Sequence, residues 1–363
     1  MLDYIKQWYE RHFSDPQVII LALVLLVGFT IIVFLGDILA PVIAAVVLAY
    51  VLEGVVLRME GFRIPRSIAV TIVLMVFILL FLFIVFGVMP LITRQLTQLI
   101  KELPSMLARG QEYLLLLPER YPAVFSQQQI QSVIETIRAE LLSMGQEIVS
   151  MSVAKFVGVF TFVVYLFVVP IMVFFGLKDK KLIQAWGERF LPPKRDLTAK
   201  VWRDVDAKIG SYIRGKLIEI MIIWVVSYIV FEIMGLNYSM LLSFLVGISV
   251  IIPYVGAVVV TAPVAIIAYF QWGVGAAAFW YLMGAYLVIQ VVDGNVLVPI
   301  LFSEVVNLHP VAIIVAILFF GGLWGVWGVF FAIPLATLID TVLNAWPRLD
   351  ERQMPELDHS PPE

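Results

Sequence analysis

No cysteine occurs in this 363-residue chain, which excludes disulfides, thiolate catalysis and Cys-rich metal centres. Histidine is nearly as scarce, and three scattered residues do not make a His-based zinc site. Charge of one sign is missing over a long distance. From Leu217 to Pro347, 131 residues pass without a Lys or Arg, and the charges inside are all acidic: Glu219, Glu232, Asp293, Glu304 and Asp340. There is no GxxxxGK[ST] phosphate loop and no set of nucleophile, base and orienter, so the chain does not read as an enzyme and no cofactor is expected.

What is present is apolar. The chain is 62% hydrophobic and 14% charged, against about 45–50% and 25% in soluble domains. Uncharged stretches run over residues 16–36, 67–93, 156–177, 233–292 and 305–339, and a spanning helix needs only about 20 residues. The short alternating segments of a membrane barrel are lacking. The expectation is an all-α polytopic membrane protein of about eight transmembrane helices, with broken or re-entrant helices in the C-terminal half. Charges at Asp3, Lys6, Glu10, Arg11 and Asp15 and the lack of a small-residue cleavage site argue against a signal peptide, so the first span is expected to stay in the membrane.

Residues 1–17 mix Trp8, Tyr9 and Phe13 with charges and read as an interfacial helix. Residues 18–90 form a first transmembrane region of three spans, in which Gly36, Asp37 and Pro41 predict a hairpin of Val18 to Leu35 and Ile38 to Leu52. Residues 91–155, with turns at Pro104, Pro118 and Pro122 and a capping box at Ser126 and Gln129, read as an extramembrane amphipathic domain on the periplasmic side. A fourth span follows at 156–177. The arm at 178–216 holds 11 Lys/Arg against 5 Asp/Glu, which the positive-inside rule places in the cytoplasm. Residues 217–347 form a transmembrane core and 348–363 a tail. Even parity puts both termini in the cytoplasm.

Three constellations in the core carry candidate chemistry. Pro253, Tyr254 and Gly256 interrupt an apolar run, and proline and glycine together predict a break in a helix at membrane depth. Such a break is tolerated where protein or a wet cavity satisfies the freed backbone groups, and transporters build solute and ion sites there. Gln290, Asp293, Gly294, Asn295 and Pro299 place a carboxylate in turn chemistry. It can bind a cation or solute, exchange a proton, or cap a helix. Gly321, Gly322, Gly325 and Gly328, followed by Pro334, allow close helix approach or a hinge. Glu219 beside Lys216 reads as a local pair at the start of a span, and Asp340 sits one turn before the exit. The missing basic residues argue against an anionic substrate.

Taken together, Pro253-Tyr254-Val255-Gly256, Asp293-Gly294-Asn295 with Pro299, the Gly321 to Gly328 cluster with Ala332-Ile333-Pro334, and Phe174-Phe175-Gly176-Leu177-Lys178-Asp179-Lys180 resemble the autoinducer-2 exporter (AI-2E) family, most of all its PerM-type permeases. The resemblance spans nearly the whole chain. It implies an eight-helix inner-membrane protein assembled as a homopentamer, in a family connected to autoinducer-2 export and to sodium/proton antiport. Gly176 departs from the leucine the family usually carries there. The reading is therefore an exporter of a small polar solute, autoinducer-2-like by the resemblance, with Asp293, Asn295, Gln290 and Asp340 on a pathway coupled to H+ or Na+. Membrane lipids are expected partners and nucleic acid is not. The alternatives are a sodium/proton antiporter and a non-transporting scaffold.

Overall fold

The computed structural model describes residues 16–115, scattered residues between 126 and 139, and residues 155–189, 196–253, 255–302 and 308–345. The interfacial segment, Gln129 of the capping box, Tyr254, Glu304 and the tail lie outside the described residues. Every regular element among those described is a helix. In chain order these are α1 (Pro16–Gly61), α2 (Arg66–Phe83), α3 (Met89–Leu115), α4 (Lys155–Lys178), α5 (Lys180–Glu188), α6 (Asp196–Ile233), α7 (Ser239–Ser249), α8 (Val255–Trp272), α9 (Ala277–Val292), α10 (Val298–Phe302) and α11 (Pro310–Ala345). Among the described residues, five stretches are long and apolar enough to cross a membrane. Large apolar side chains such as Phe83, Phe86, Val258, Ile300 and Leu318 lie exposed on the helices, the surface expected of a protein solvated by lipid.

Several sequence expectations are overturned. The Val18 to Leu35 and Ile38 to Leu52 hairpin is absent, because α1 runs unbroken through Gly36, Asp37 and Pro41. A proline inside a membrane helix is tolerated where neighbours satisfy the freed carbonyl. Pro104 likewise lies inside α3 and marks no turn. The segments 68–90 and 91–115 join into one long helical stretch, linked by a π-helical turn at Ile84–Val88. The basic arm also continues without a break into residues 217–233, all within α6.

A second π-helical turn, Asp293–Leu297, links α9 to α10, so Asp293-Gly294-Asn295 is a widened helical turn and not a break. The two π turns have one cause. In each, the backbone N–H of the next residue (Met89 or Val298) donates to the carbonyl five residues back, and a proline, Pro90 or Pro299, comes immediately after. Proline cannot donate to the carbonyl four residues back and its ring crowds it. Widening the turn by one residue relieves both.

The helices group into two compact units. The first comprises the residues up to Ile43, Asp179–Arg214 and those from Phe302 on. In it, α11 is a helical hairpin. Gly325 (φ 58°, ψ −134°) turns the chain inside what is otherwise continuous helix. A Cβ at Gly328 would strike the Phe320 carbonyl, although eight residues of straight helix span about 12 Å. Ala316 and Phe320 on one arm pack against Ala332 on the other, and the Phe320 ring stacks on Trp324 beside the turn. This unit also holds Asp340, half-buried, and a Lys208 Nζ to Thr341 Oγ1 hydrogen bond of 3.2 Å.

The second unit, Ala44–Lys178 with Gly215–Leu301, carries the larger core. Phe231, Leu242, Val246, Val264, Leu282 and Tyr286 are all buried there. A second cluster joins α1, α2 and α4 through Val56, Val70, Val173 and Leu177. Arg66 locks that junction: it forks onto Glu53 at 3.0 Å, reaches Glu60 at 3.2 Å, and donates twice to the Leu177 carbonyl at 2.6 and 2.9 Å. It thereby satisfies a last-turn carbonyl of α4 that helix geometry leaves without a partner.

α7 and α8 form a second helical hairpin. The chain turns at Ile251–Pro253, and Gly256 at the start of α8 is buried against Ser249 at the end of α7, where a Cβ would overlap the Ser249 carbonyl. At the open end the Gln271 side chain accepts from the Asn237 N–H at 2.8 Å and donates to the Gly235 carbonyl at 2.7 Å. Gly247 brings α7 against α6, with a Cβ there only 2.6 Å from Cβ of Trp224. Replacing Gly256 by alanine is therefore expected to cost about 1–3 kcal/mol by overpacking, whereas Gly294→Ala, which meets open space, stays within about 0.5 kcal/mol. Thermal unfolding of the detergent-solubilised protein, followed by intrinsic tryptophan fluorescence, checks both.

Candidate functional site

The site is built around a pair the sequence presents as peripheral. Lys216 and Glu219 are one helical turn apart on α6. Their side chains are 4% and 2% exposed, and Nζ lies 2.6 Å from Oε2. Lys216 Nζ also donates to the Val250 carbonyl at 3.0 Å. Val250 follows the last residue of α7, so this carbonyl is one that the helix end leaves unpaired. The break between α7 and α8 and the buried charge on α6 are thus joined by a single ammonium.

Asp293 belongs to the same electrostatic neighbourhood. Its charge interacts with Lys216 and with Glu219, and its Oδ1 is buried without a hydrogen-bond partner. Widening of the helix at Asp293–Leu297 places this carboxylate at the start of the π turn, a distortion frequent at functional sites. The cluster holds two carboxylates and one ammonium. With both acids ionised it would bury a net negative charge, which costs several kcal/mol inside a protein.

Toward the other end of α9, polar groups continue on the same face. Tyr286, Gln290 and Asp293 are spaced by four and three residues. The Tyr286 hydroxyl bonds with Gln290, accepts from Thr261 Oγ1 at 3.3 Å and donates to the Ala257 carbonyl at 3.4 Å. Its ring meets Phe231 of α6 at 6.3 Å. Ser227, on the helical face that carries Lys216, is fully buried and its hydroxyl has no partner among the described residues. Buried and half-buried polar groups are thus distributed over α6, α8, α9 and the π turn of this unit, among apolar core residues.

The other sequence candidates lie elsewhere. Asn295 is exposed, and its amide donates back to the Val291 carbonyl of its own helix at 2.9 Å, so it does not partner Asp293. Gly294 and Pro299 are exposed, Pro253 sits half-buried in the α7–α8 turn and Gly256 closes that hairpin. Gly321, Gly322, Gly325, Gly328 and Pro334 belong to the α11 hairpin in the other unit, as does Asp340. Lys216 corrects the inference drawn from missing bases: it stands one residue before the base-free stretch and delivers an ammonium into the interior of this region. Its signal was available in the spacing, since Lys216, Glu219 and Ser227 share one side of α6.

Removing one member of a buried pair strands the other. Lys216→Met is expected to destabilise the protein by about 3–5 kcal/mol, and the double variant K216M/E219L to recover at least half of that loss. A double-mutant cycle on detergent unfolding midpoints checks it.

Comparison with known proteins follows the same lines. The AI-2E family transporter model matches residues 19–348. PerM of Escherichia coli strain K12, named as a permease, is 48% identical over 347 residues, covering 96% of this chain and 98% of that protein. YueF of Bacillus subtilis strain 168, named as a transport protein, is 26% identical over 346 residues, covering 90% and 91%. A transport protein of Haemophilus influenzae is 24% identical over 320 residues, covering 86% and 88%. With its multi-pass helical architecture and its buried polar groups, the chain belongs to the AI-2E family of membrane transporters.

Proposed function

We propose that this protein is a permease of the bacterial inner membrane that exports a small polar solute, with Asp293 as the group on which solute and coupling ion act. The observation that carries the reading is the buried, unpartnered Oδ1 of Asp293 beside the Lys216–Glu219 pair. Ionisable groups at membrane depth are costly and are kept where they serve a pathway. A solute hydroxyl donating to Oδ1 would supply the missing partner, and the amide of Gln290 extends the same polar face. The family name and the words permease and transport protein borne by the relatives support transport of a solute in the class of autoinducer-2. Assembly as a homopentamer and cytoplasmic placement of both termini complete the proposal.

Sodium/proton antiport is the second reading. Excess of carboxylate over ammonium at the cluster favours it, because one acid is left to carry the exchanged proton. The two readings separate in proteoliposomes. Export predicts uptake of labelled small polyols into inside-out vesicles, reduced about tenfold by Asp293→Asn, a loss of about 1.4 kcal/mol, and changed by no more than about twofold by Asn295→Ala, whose side chain bonds only to its own helix. Antiport predicts sodium-driven proton movement without added solute, lost in the same Asp293 variant. If Asp293→Asn leaves both fluxes at the wild-type level, the role given to Asp293 is wrong.

A further inference from the structure

We propose that Glu219 and Asp293 share one exchangeable proton, and that this proton governs whether Lys216 holds the carbonyl end of α7. Charge accounting leads there first. Glu219 pairs with Lys216, both almost wholly buried, and the charge of Asp293 acts on both. Among the described residues no further charged group acts on either acid. Among the described residues Tyr286 is engaged with Thr261, Gln290 and the Ala257 carbonyl, and Ser227 is neutral. A neutral cluster needs one more positive charge, and a proton supplies it.

A metal cation fits poorly. Hard cations take about six oxygen ligands, whereas this cluster offers two carboxylates and the Val250 carbonyl, which the Lys216 ammonium already occupies. The ammonium itself repels a second cation. A proton needs only one lone pair, and Oδ1 of Asp293 has no partner.

The mechanical consequence follows from where Lys216 is anchored. With the proton on Asp293, Glu219 is ionised and holds Lys216 at 2.6 Å, positioned to donate to Val250. With the proton on Glu219, that ion pair is lost and the ammonium is drawn to the ionised Asp293. The Val250 carbonyl then gives up its donor. The turn at Ile251–Pro253 follows directly, and Gly256 packs against the same end of α7. Proton position is thereby read out at the tip of the α7–α8 hairpin. The proton moves between two carboxylates within the cluster, and no other reactant is needed.

The inference takes Asp293 as the working acid of the proposed permease, but its test reads protonation without any flux, so the two can fail separately. Infrared spectra of the full-length protein in lipid at neutral pH are expected to show one protonated carboxyl band from the membrane interior. Either Asp293→Asn or Glu219→Gln alone removes it, because the remaining acid pairs with Lys216. Lys216→Arg keeps a single band and guards against a folding defect in stronger variants. The absence of the band in the wild type, or its persistence in both single acid variants, overturns the proposal.

A second measurement reads the hairpin. Ile252→Cys adds a lone thiol to a chain with none, and its maleimide labelling, corrected for thiol ionisation with a free thiol standard, is expected to change several-fold across the titration of the cluster. The same thiol in the Asp293→Asn background shows no such step. An identical step in both backgrounds, or a midpoint that moves with sodium concentration, assigns the effect elsewhere and overturns the shared proton.

Discussion

A single ammonium satisfies two demands that the membrane interior makes at once. Hydrocarbon offers no water to a charged side chain or to the carbonyls at a helix end. α7 stops after 11 residues, about 16 Å of helix, roughly half the thickness of a bilayer's hydrocarbon core. Lys216 donates to the Val250 carbonyl at its end and pairs with Glu219. Charge burial and interruption of the backbone are two halves of one arrangement here. Breaking either half exposes the other, which is why the hairpin, the pair and Asp293 are best understood together.

The same logic recurs with other residues. Arg66 spreads its guanidinium over Glu53, Glu60 and the end of α4, using the fork geometry that lysine lacks. Gln271 performs a neutral version at the mouth of the α7–α8 hairpin. In each case a side chain remote in sequence takes over a backbone group that regular helix geometry cannot serve. The two π turns solve the opposite problem, absorbing a proline without breaking the rod.

Much of this was legible in the residues, and the failures have physical causes. The helical membrane class follows from uncharged runs alone, and Pro253 with Gly256 marks the α7–α8 turn because glycine is needed where α8 touches the end of α7. Gly325 was visible as part of a cluster, but only its positive φ identifies it as the turn. Gly36 and Pro41 misled because punctuation that ends a helix in water is tolerated in a lipid-solvated one. Asp293-Gly294-Asn295 looked like a turn because composition cannot distinguish a turn from a helix widened ahead of Pro299. The Lys216–Glu219 pair is legible as a local pair, but its burial is not, because Lys216 closes a basic segment and its charge counts with the arm instead of with the helix face it occupies. The pairing of Tyr286 with Thr261 had no sequence signal beyond spacing, because it depends on how α8 lies against α9.

The folded-back helices also bear on sidedness. A hairpin whose ends meet, as Gln271 meets Gly235 and Asn237, returns the chain to the face from which it entered, however deep its tip reaches. α11 also folds back on itself, around Gly325. A hairpin with meeting ends changes the running tally of membrane crossings by an even number, where a hydropathy profile would score one. An epitope or reporter placed just before such a hairpin and another placed just after it will face the same compartment, and any map of inside and outside for this protein should be drawn from its folded-back elements outward.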